Sequence, residues 1–296
     1  MRKRNWHKYN KNLVARGSLT FLLDRESFLP PLPKKKRQIG RPLAFTEAFI
    51  VMLMMIKIHY RLSYRGLEGF SRFFIPLLGH ACHLPTYSLI CKRAKKLATA
   101  LPKLSQRRPS VVIVDASGVR VLGEGEWKVK IHGRSSPRKW MKIHIALDAK
   151  TQEVVGEVLT ESRVSDGQAL PTVLDQVRKG FHQVIGDGAY DKRGVREEIK
   201  KRSAVPLVPP PKNAVWRGNG DERDEAVLDI AALGGDKVAK SLWGKIRGYN
   251  LRVLVETAFS RFKRLFGDRF FSKTPDRQRV ETRLKWIILN KAMGAC

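Results

Sequence analysis

The spacing of apolar residues changes at Pro109, and that change does most to limit what this chain can fold into. VVIVDAS (111–117) reads as a buried strand carrying an acid at its end. KWMKIHIALD (139–148) alternates over its middle, and EVVGEVLTES (153–162) follows a turn around Lys150-Thr151. An amphipathic helix is expected near Ala169–Lys179. HQVIGDGAYD (182–191) reads as another buried strand. A basic helix, Lys192–Arg202, leads to AVPLVPPP (204–211), a short strand running into a proline stop. Three strands followed by strand–helix alternation predict an α/β domain with a mixed sheet. Residues 212–245 are polar and glycine-rich and are expected to be an insertion loop.

The stretch before Pro109 reads differently. Residues 43–101 carry three helix-spaced segments. Thr46 is expected to cap the first, with Phe49, Met52, Leu53 and Ile56 on its apolar face. Ser63 opens the second, with Leu67, Phe70, Phe74 and Leu77 in step. Pro85-Thr86 opens the third, TYSLICKRAKKLATAL, which carries Lys92, Arg93, Lys95 and Lys96. A basic helix after two amphipathic ones suits a helix-turn-helix that places those four cations on DNA. A small helical cap whose lysines face water is the other reading. Ahead of it, PPLPKKKRQIGRP (30–42) is barred from regular structure by its prolines. Arg41, within Gly40-Arg41-Pro42, could lie in a minor groove, or this stretch could be a solvated basic linker. The expected division is a basic arm (1–42), a helical DNA-binding domain (43–108) and an α/β domain (109–296).

Charge points to the partner. Fifty-eight Lys and Arg stand against 27 Asp and Glu, leaving +31. Such self-repulsion calls for a polyanion, and nucleic acid leads because neutralised phosphates release counterions. The longest uninterrupted apolar run, Ala48 to Ile56, is too short to span a bilayer, so no membrane role is expected. MRKRNWHKYN has no apolar core for a secretion signal, and Cys82, Cys91 and Cys296 are too sparse for a disulfide framework. A cytoplasmic location follows. His80, Cys82, His83 and Cys91 are close in sequence, but H-x-C-H-x7-C matches no usual zinc spacing.

Asp115 and Asp187 are the acids placed for chemistry, each closing a buried strand at the edge where α/β sheets build sites. The glycines flanking Asp187 suit a tight turn. A carboxylate so placed needs a partner, and a divalent cation is the natural one. Asp191, four residues on, reads as a helix N-cap. His144 reads as a structural strand residue, and His132 is a possible base or ligand.

YNLRVLVETAFSRFK (249–263) supplies the third acid. On an α-helical wheel with Tyr249 at zero, Arg252 falls near about 300°, Glu256 near about 340° and Lys263 near about 320°. Leu251, Leu254, Val255, Ala258, Phe262, Leu265 and Phe266 gather on the other side. The bland explanation is a solvated face with one i, i+4 ion pair. If the apolar face instead packs on the sheet, Glu256 points toward Asp115 and Asp187. Oxygen-only ligands suit Mg or Mn, and two such ions can drive in-line phosphoryl displacement. Arg252 and Lys263 would contact phosphates, and Tyr249 could stack or donate a hydrogen bond.

At these residues the chain resembles bacterial insertion-sequence transposases of the DDE class. Tyr249, Arg252, Glu256 and Lys263 match their Y-x2-R-x3-E-x6-K signature in full. VVIVDASGVRVLGEGEWKVKIHG matches the segment of the first acid, GDGAYD that of the second, and NWHKYNKNLVARGSLTFLLD the N-terminal text. The resemblance implies a ribonuclease-H-like catalytic domain with Asp115, Asp187 and Glu256 as catalytic metal ligands. It implies binding to terminal inverted repeats as a homodimer or higher assembly, cleavage by a metal-activated water, and attack of the freed 3′-OH on target DNA. Asp115 would touch both ions, Trp127 could stack on DNA or simply pack in a hairpin, and the protein would work at the bacterial nucleoid. A metal-dependent nuclease that cuts without joining is the near alternative. A transposase-derived DNA-binding protein is the other, and it predicts a lost acid.

Overall fold

The structure is a computed structural model that describes residues 6–15, 22–23, 44–78, 83–97, 101–121 and 140–294. Arg41, Trp127, His132, His80, Cys82 and Cys296 lie outside the described residues. The chain divides into two compact units. One joins 1–103 with 270–296, and the other is 104–269.

The first unit is helical. It contains α1 (Trp6–Ala15), α2 (Glu47–His59), α3 (Tyr64–Leu77), α4 (Tyr87–Lys96) and the C-terminal helix α10 (Pro275–Gly294). The expected caps form. Thr46 accepts from the Phe49 N–H at 3.0 Å, Ser63 from Gly66 at 3.0 Å and Thr86 from Leu89 at 3.5 Å. The expected one-sided face of α2 is not what forms. Every residue from Phe49 to Ile56 is buried, because α3, α4 and α10 all pack on it. On α3 the buried stripe is Leu67, Ser71 and Ile75, and Leu77 is exposed. Lys92, Lys95 and Lys96 face outward from α4. Arg93 does not: it donates to the Phe45 carbonyl at 2.6 Å and pairs with Glu47, tying α4 to the start of α2.

In α10, Lys285 is fully buried against Glu281 at 2.7 Å, with its ammonium over the rings of Phe270 and Phe271. The same carboxylate accepts from the Phe271 and Ser272 N–H groups. Because the ammonium and carboxylate pair with each other and the carboxylate accepts two further hydrogen bonds, α10 can bury these polar residues. The span 109–296, expected as one domain, therefore parts at Arg269, and its last helix packs with the N-terminal helices.

The second unit holds the sheet. β1 (Val111–Arg120), β2 (Trp140–Asp148) and β3 (Val154–Glu161) form an antiparallel meander. α5 (Asp166–Leu174) leads to β4 (Gln183–Ile185), and α6 (Arg193–Lys200) leads to β5 (Val205–Leu207). The order is β3-β2-β1-β4-β5, with β4 and β5 parallel to β1. The meander turns where Asp148 accepts from the Lys150 N–H and the Thr151 hydroxyl. Val112, Val114, Ala146 and Val184 on one sheet face pack with Leu170, Val173 and Leu174 of α5 and with Val195 and Ile199 of α6. Strand alternation sends Ile113 and Asp115 to the opposite face.

The stretch 212–245, expected as a loop, holds two helices. They are α7 (Glu222–Ala232), capped by Asp221, and α8 (Lys237–Ile246), capped by Asp236. Gly248, at φ 78°, reverses the chain into a 3₁₀ turn over Tyr249–Arg252, and α9 (Val253–Phe266) follows. α9 packs on β1 and buries Val255, Ala258, Phe259, Phe262 and Phe266.

Candidate active site

Asp115 and Asp187 are brought level by strand register. Ile113 pairs with Ile185 across the parallel β1–β4 ladder, and each aspartate follows its isoleucine by two residues. Two residues return Asp115 to the Ile113 face, opposite α5, while Asp187 stands just beyond the end of β4, near enough for its charge to act on Asp115. Asp115 does not end its strand, as expected from sequence. It lies in the middle of β1, at the point where β4 has stopped and the ladder opens.

The turn after β4 is shaped around Asp187. Its Oδ1 accepts from the Ala189 N–H at 2.9 Å and so caps a 3₁₀ turn, Gly188–Tyr190. Tyr190 then drops into the core beside α5 and α6. Gly186 lets Tyr190 pack close: a Cβ there would lie 3.0 Å from its ring, so the ring would have to shift by a few tenths of an ångström. Gly188 has no such constraint: its nearest neighbour would be the Pro209 carbonyl at 3.9 Å.

Glu256 stands in the first turn of α9 and is held by Arg252, Nη1 to Oε1 at 2.7 Å. The other end of the guanidinium lies 3.7 Å from Asp115. Arg252 thus links two of the three acids. The arrangement differs from a continuous helical stripe, because Tyr249 and Arg252 belong to the 3₁₀ turn and Glu256 to the α-helix. Tyr249 packs on Trp243 of α8, ring centroids 6.0 Å apart. Lys263 is exposed two turns further along α9.

Burial pushes the Asp115 carboxyl up from its ordinary value, and the charges of Asp187 and Asp166 add to the rise. The Ala116 N–H, which donates to it at 2.8 Å, and Arg252 oppose that rise. Burial also raises the phenols of Tyr249 and Tyr190, so both stay neutral donors. Asp166 opens α5 and pairs with Lys142 at 3.0 Å. Near it, His144 is buried and shares a 2.8 Å hydrogen bond with Thr160, the structural role its strand position suggests.

The chemistry of the donors fits a divalent cation at the aspartate pair: two carboxylates lie near enough to repel each other, and burial raises the pKa of Asp115 in the absence of a cation. The third acid is not gathered with them. Among the described residues no group of three His, Cys, Asp or Glu is close enough to hold a metal, and Glu256 is paired with Arg252 instead.

Sequence reasoning missed four charges behind the site. Asp191 is no N-cap; Lys192 holds that position. The Asp191 side chain is buried between Arg196 and Arg223, and Asp224 is buried next to Arg223. The signal was faint. An Asp and an Arg five apart, with an Arg–Asp pair inside an apparent loop, suggest burial only once the loop is known to fold.

Two family models together span most of the chain. The family described as "Transposase DDE domain" matches residues 106–291, and a second family of the same description matches residues 14–124. An uncharacterised protein of Aquifex aeolicus (strain VF5) is 27% identical over 233 residues, covering 71% of this chain and 66% of that protein's length. Among solved structures, a piggyBac transposase synaptic complex with hairpin DNA aligns over 95% of this chain and 73% of its own, at 11% identity and TM-score 0.43. A pre-cleavage Mos1 transpososome aligns over 88% and 82%, at 9% identity and TM-score 0.22.

Proposed function

The chain belongs to the transposase DDE domain family, and we propose that it binds the terminal inverted repeats of its own element, cleaves them, and joins the freed 3′-OH ends to target DNA. The sheet is read as ribonuclease-H-like and the helical unit as the helix-turn-helix-type reader of the ends. The observation that supports this reading is that Asp115 and Asp187 each follow a paired isoleucine of β1 and β4 by two residues, with α9 packed on β1.

DDE transposases generally use divalent metal ions. Here Asp115 and Asp187 would hold Mg or Mn, and Glu256 would complete the set once Arg252 releases it. When bound, two such ions would activate the attacking oxygen and stabilise the leaving one. Arg252, freed from Glu256, pairs with a DNA phosphate, for which its fork geometry suits it. Lys263 and the α4 cations Lys92, Lys95 and Lys96 add contacts to the backbone. Tyr249, kept neutral by burial, donates a hydrogen bond or stacks on a base. The +31 charge suits a protein that works on the bacterial nucleoid, as a homodimer or higher assembly pairing two ends. No described helix is long and apolar enough to cross a membrane.

The test uses labelled DNA carrying the element's ends, in Mg, in Mn and in EDTA, beside Asp187→Asn. Metal-dependent cuts at the ends, followed by joining and lost in the variant, are expected. Cutting without joining would reduce the protein to a nuclease. Binding without cutting in any metal would leave a DNA-binding protein only.

A further inference from the structure

The insertion reaches the candidate site from two sides. At one end, Arg223 of α7 donates from Nε to Asp191 Oδ2 at 3.3 Å, while Nη1 donates to the Val215 carbonyl at 3.1 Å. Arg196 of α6 clamps the other oxygen, with Nε and Nη2 at 2.9 and 2.7 Å from Oδ1. Its Nη2 also donates to the Val208 carbonyl beyond β5. Asp224 accepts from the Arg217 and Asn219 N–H groups at 3.1 and 2.7 Å, closing the loop ahead of α7. Two buried acids and two buried cations make a neutral cluster in which each carboxylate has partners. Asp191 ends the 3₁₀ turn that Asp187 begins, through its N–H to Gly188 at 3.1 Å. At the other end, Trp243 of α8 packs on Tyr249, the first residue of the turn that carries Arg252.

From this we propose that the insertion 212–245 is a brace, with Asp191 and Arg223 as positioning residues that hold the Asp187 turn in register with Asp115. Neither touches the carboxylates of the site. The charge cluster fixes the turn from behind, and a buried ion pair suits that task because losing one member leaves a charge with no water to solvate it. The proposal rests on the reading of Asp187 as a metal-holding acid.

Arg223→Met removes the charge and keeps most of the volume, and Arg223→Lys keeps the charge without the fork. Each full-length protein is compared with the wild type and with Asp187→Asn. Three quantities are followed: cooperative thermal unfolding, affinity for Mn alone by electron paramagnetic resonance, and single-turnover cleavage of labelled ends. Arg223→Met is expected to unfold cooperatively and to bind DNA ends within about two-fold of wild type. Its affinity for Mn and its cleavage rate should each fall by on the order of ten-fold or more. Arg223→Lys should lie between. A folded Arg223→Met with wild-type affinity for Mn and wild-type cleavage overturns the brace. If Arg223→Met does not fold, an Arg223→Lys protein indistinguishable from wild type in both readouts also overturns it. Asp187→Asn that binds Mn and cleaves normally overturns the reading of the site itself, and the brace with it.

Discussion

The Arg252 guanidinium lies 2.7 Å from the Glu256 carboxylate, and this pair occupies the edge of the site that a third metal-holding acid would need. Both side chains are partly exposed, Glu256 at 53%, so the pair adds only a few tenths of a kcal/mol to stability. Its importance is to geometry. Glu256→Gln is expected to leave the thermal midpoint and DNA binding nearly unchanged while lowering cleavage at least on the order of 100-fold. Cleavage near the wild-type rate in a gel assay would remove Glu256 from the site.

Asp115 is expected to destabilise the metal-free protein. Its folded pKa is raised by burial, so folding favours the protonated form. The penalty is absent below the ordinary carboxylate range. It grows as pH rises through that range and is complete above the raised folded value. Asp115→Asn should therefore melt above wild type at neutral pH in EDTA, by a few degrees, and the two should converge in acid. An Asp115→Asn protein that melts lower at neutral pH would show that Arg252 outweighs the burial.

His144 gives a window of opposite sign. Its pKa is lowered from 6.5 to about 4, chiefly by burial; Asp166 opposes the fall and Lys142 adds to it. The neutral ring's contribution is complete above pH 6.5 and is lost as pH falls toward 4, by at most about 3 kcal/mol. Replacement by Gln, which does not titrate, should flatten the stability profile between those limits. Denaturant titrations at intervals across them would check this.

The division of the chain can be tested by dissection. Residues 104–269 alone are expected to unfold cooperatively, whereas 104–296 should aggregate. The longer piece carries α10 without α2, and so exposes Leu284, Trp286, Ile287 and Ile288, each worth roughly 1.5–3 kcal/mol when buried. Light scattering that finds both pieces monomeric would contradict the division.

Much of this was legible in advance because the signals were local. Val112, Ile113 and Val114 announced a buried strand, and Thr46 and Ser63 announced helix starts, since a cap is decided by residues three apart. The insertion helices were hidden. Their apolar residues, such as Leu228, Val238, Leu242 and Ile246, stay exposed, and the glycines around them resemble a loop. α10 was hidden for the opposite reason: Glu281 and Lys285 lie inside, where a periodicity argument expects leucine.

By itself, the sequence determined the kind of domain and the strong positive charge, and it singled out three acids as candidates. Patterning, net charge and the order of motifs do not depend on how distant segments meet. The tertiary structure alone decided that Asp115 sits in mid-strand level with Asp187, that Arg252 stands between Asp115 and Glu256, that Asp191 is buried among arginines, and that the last helix joins the first ones. Each of these is set by strand register or by partners tens of residues away. A buried charge is stable only when such a partner is in place, and no local spacing can report it.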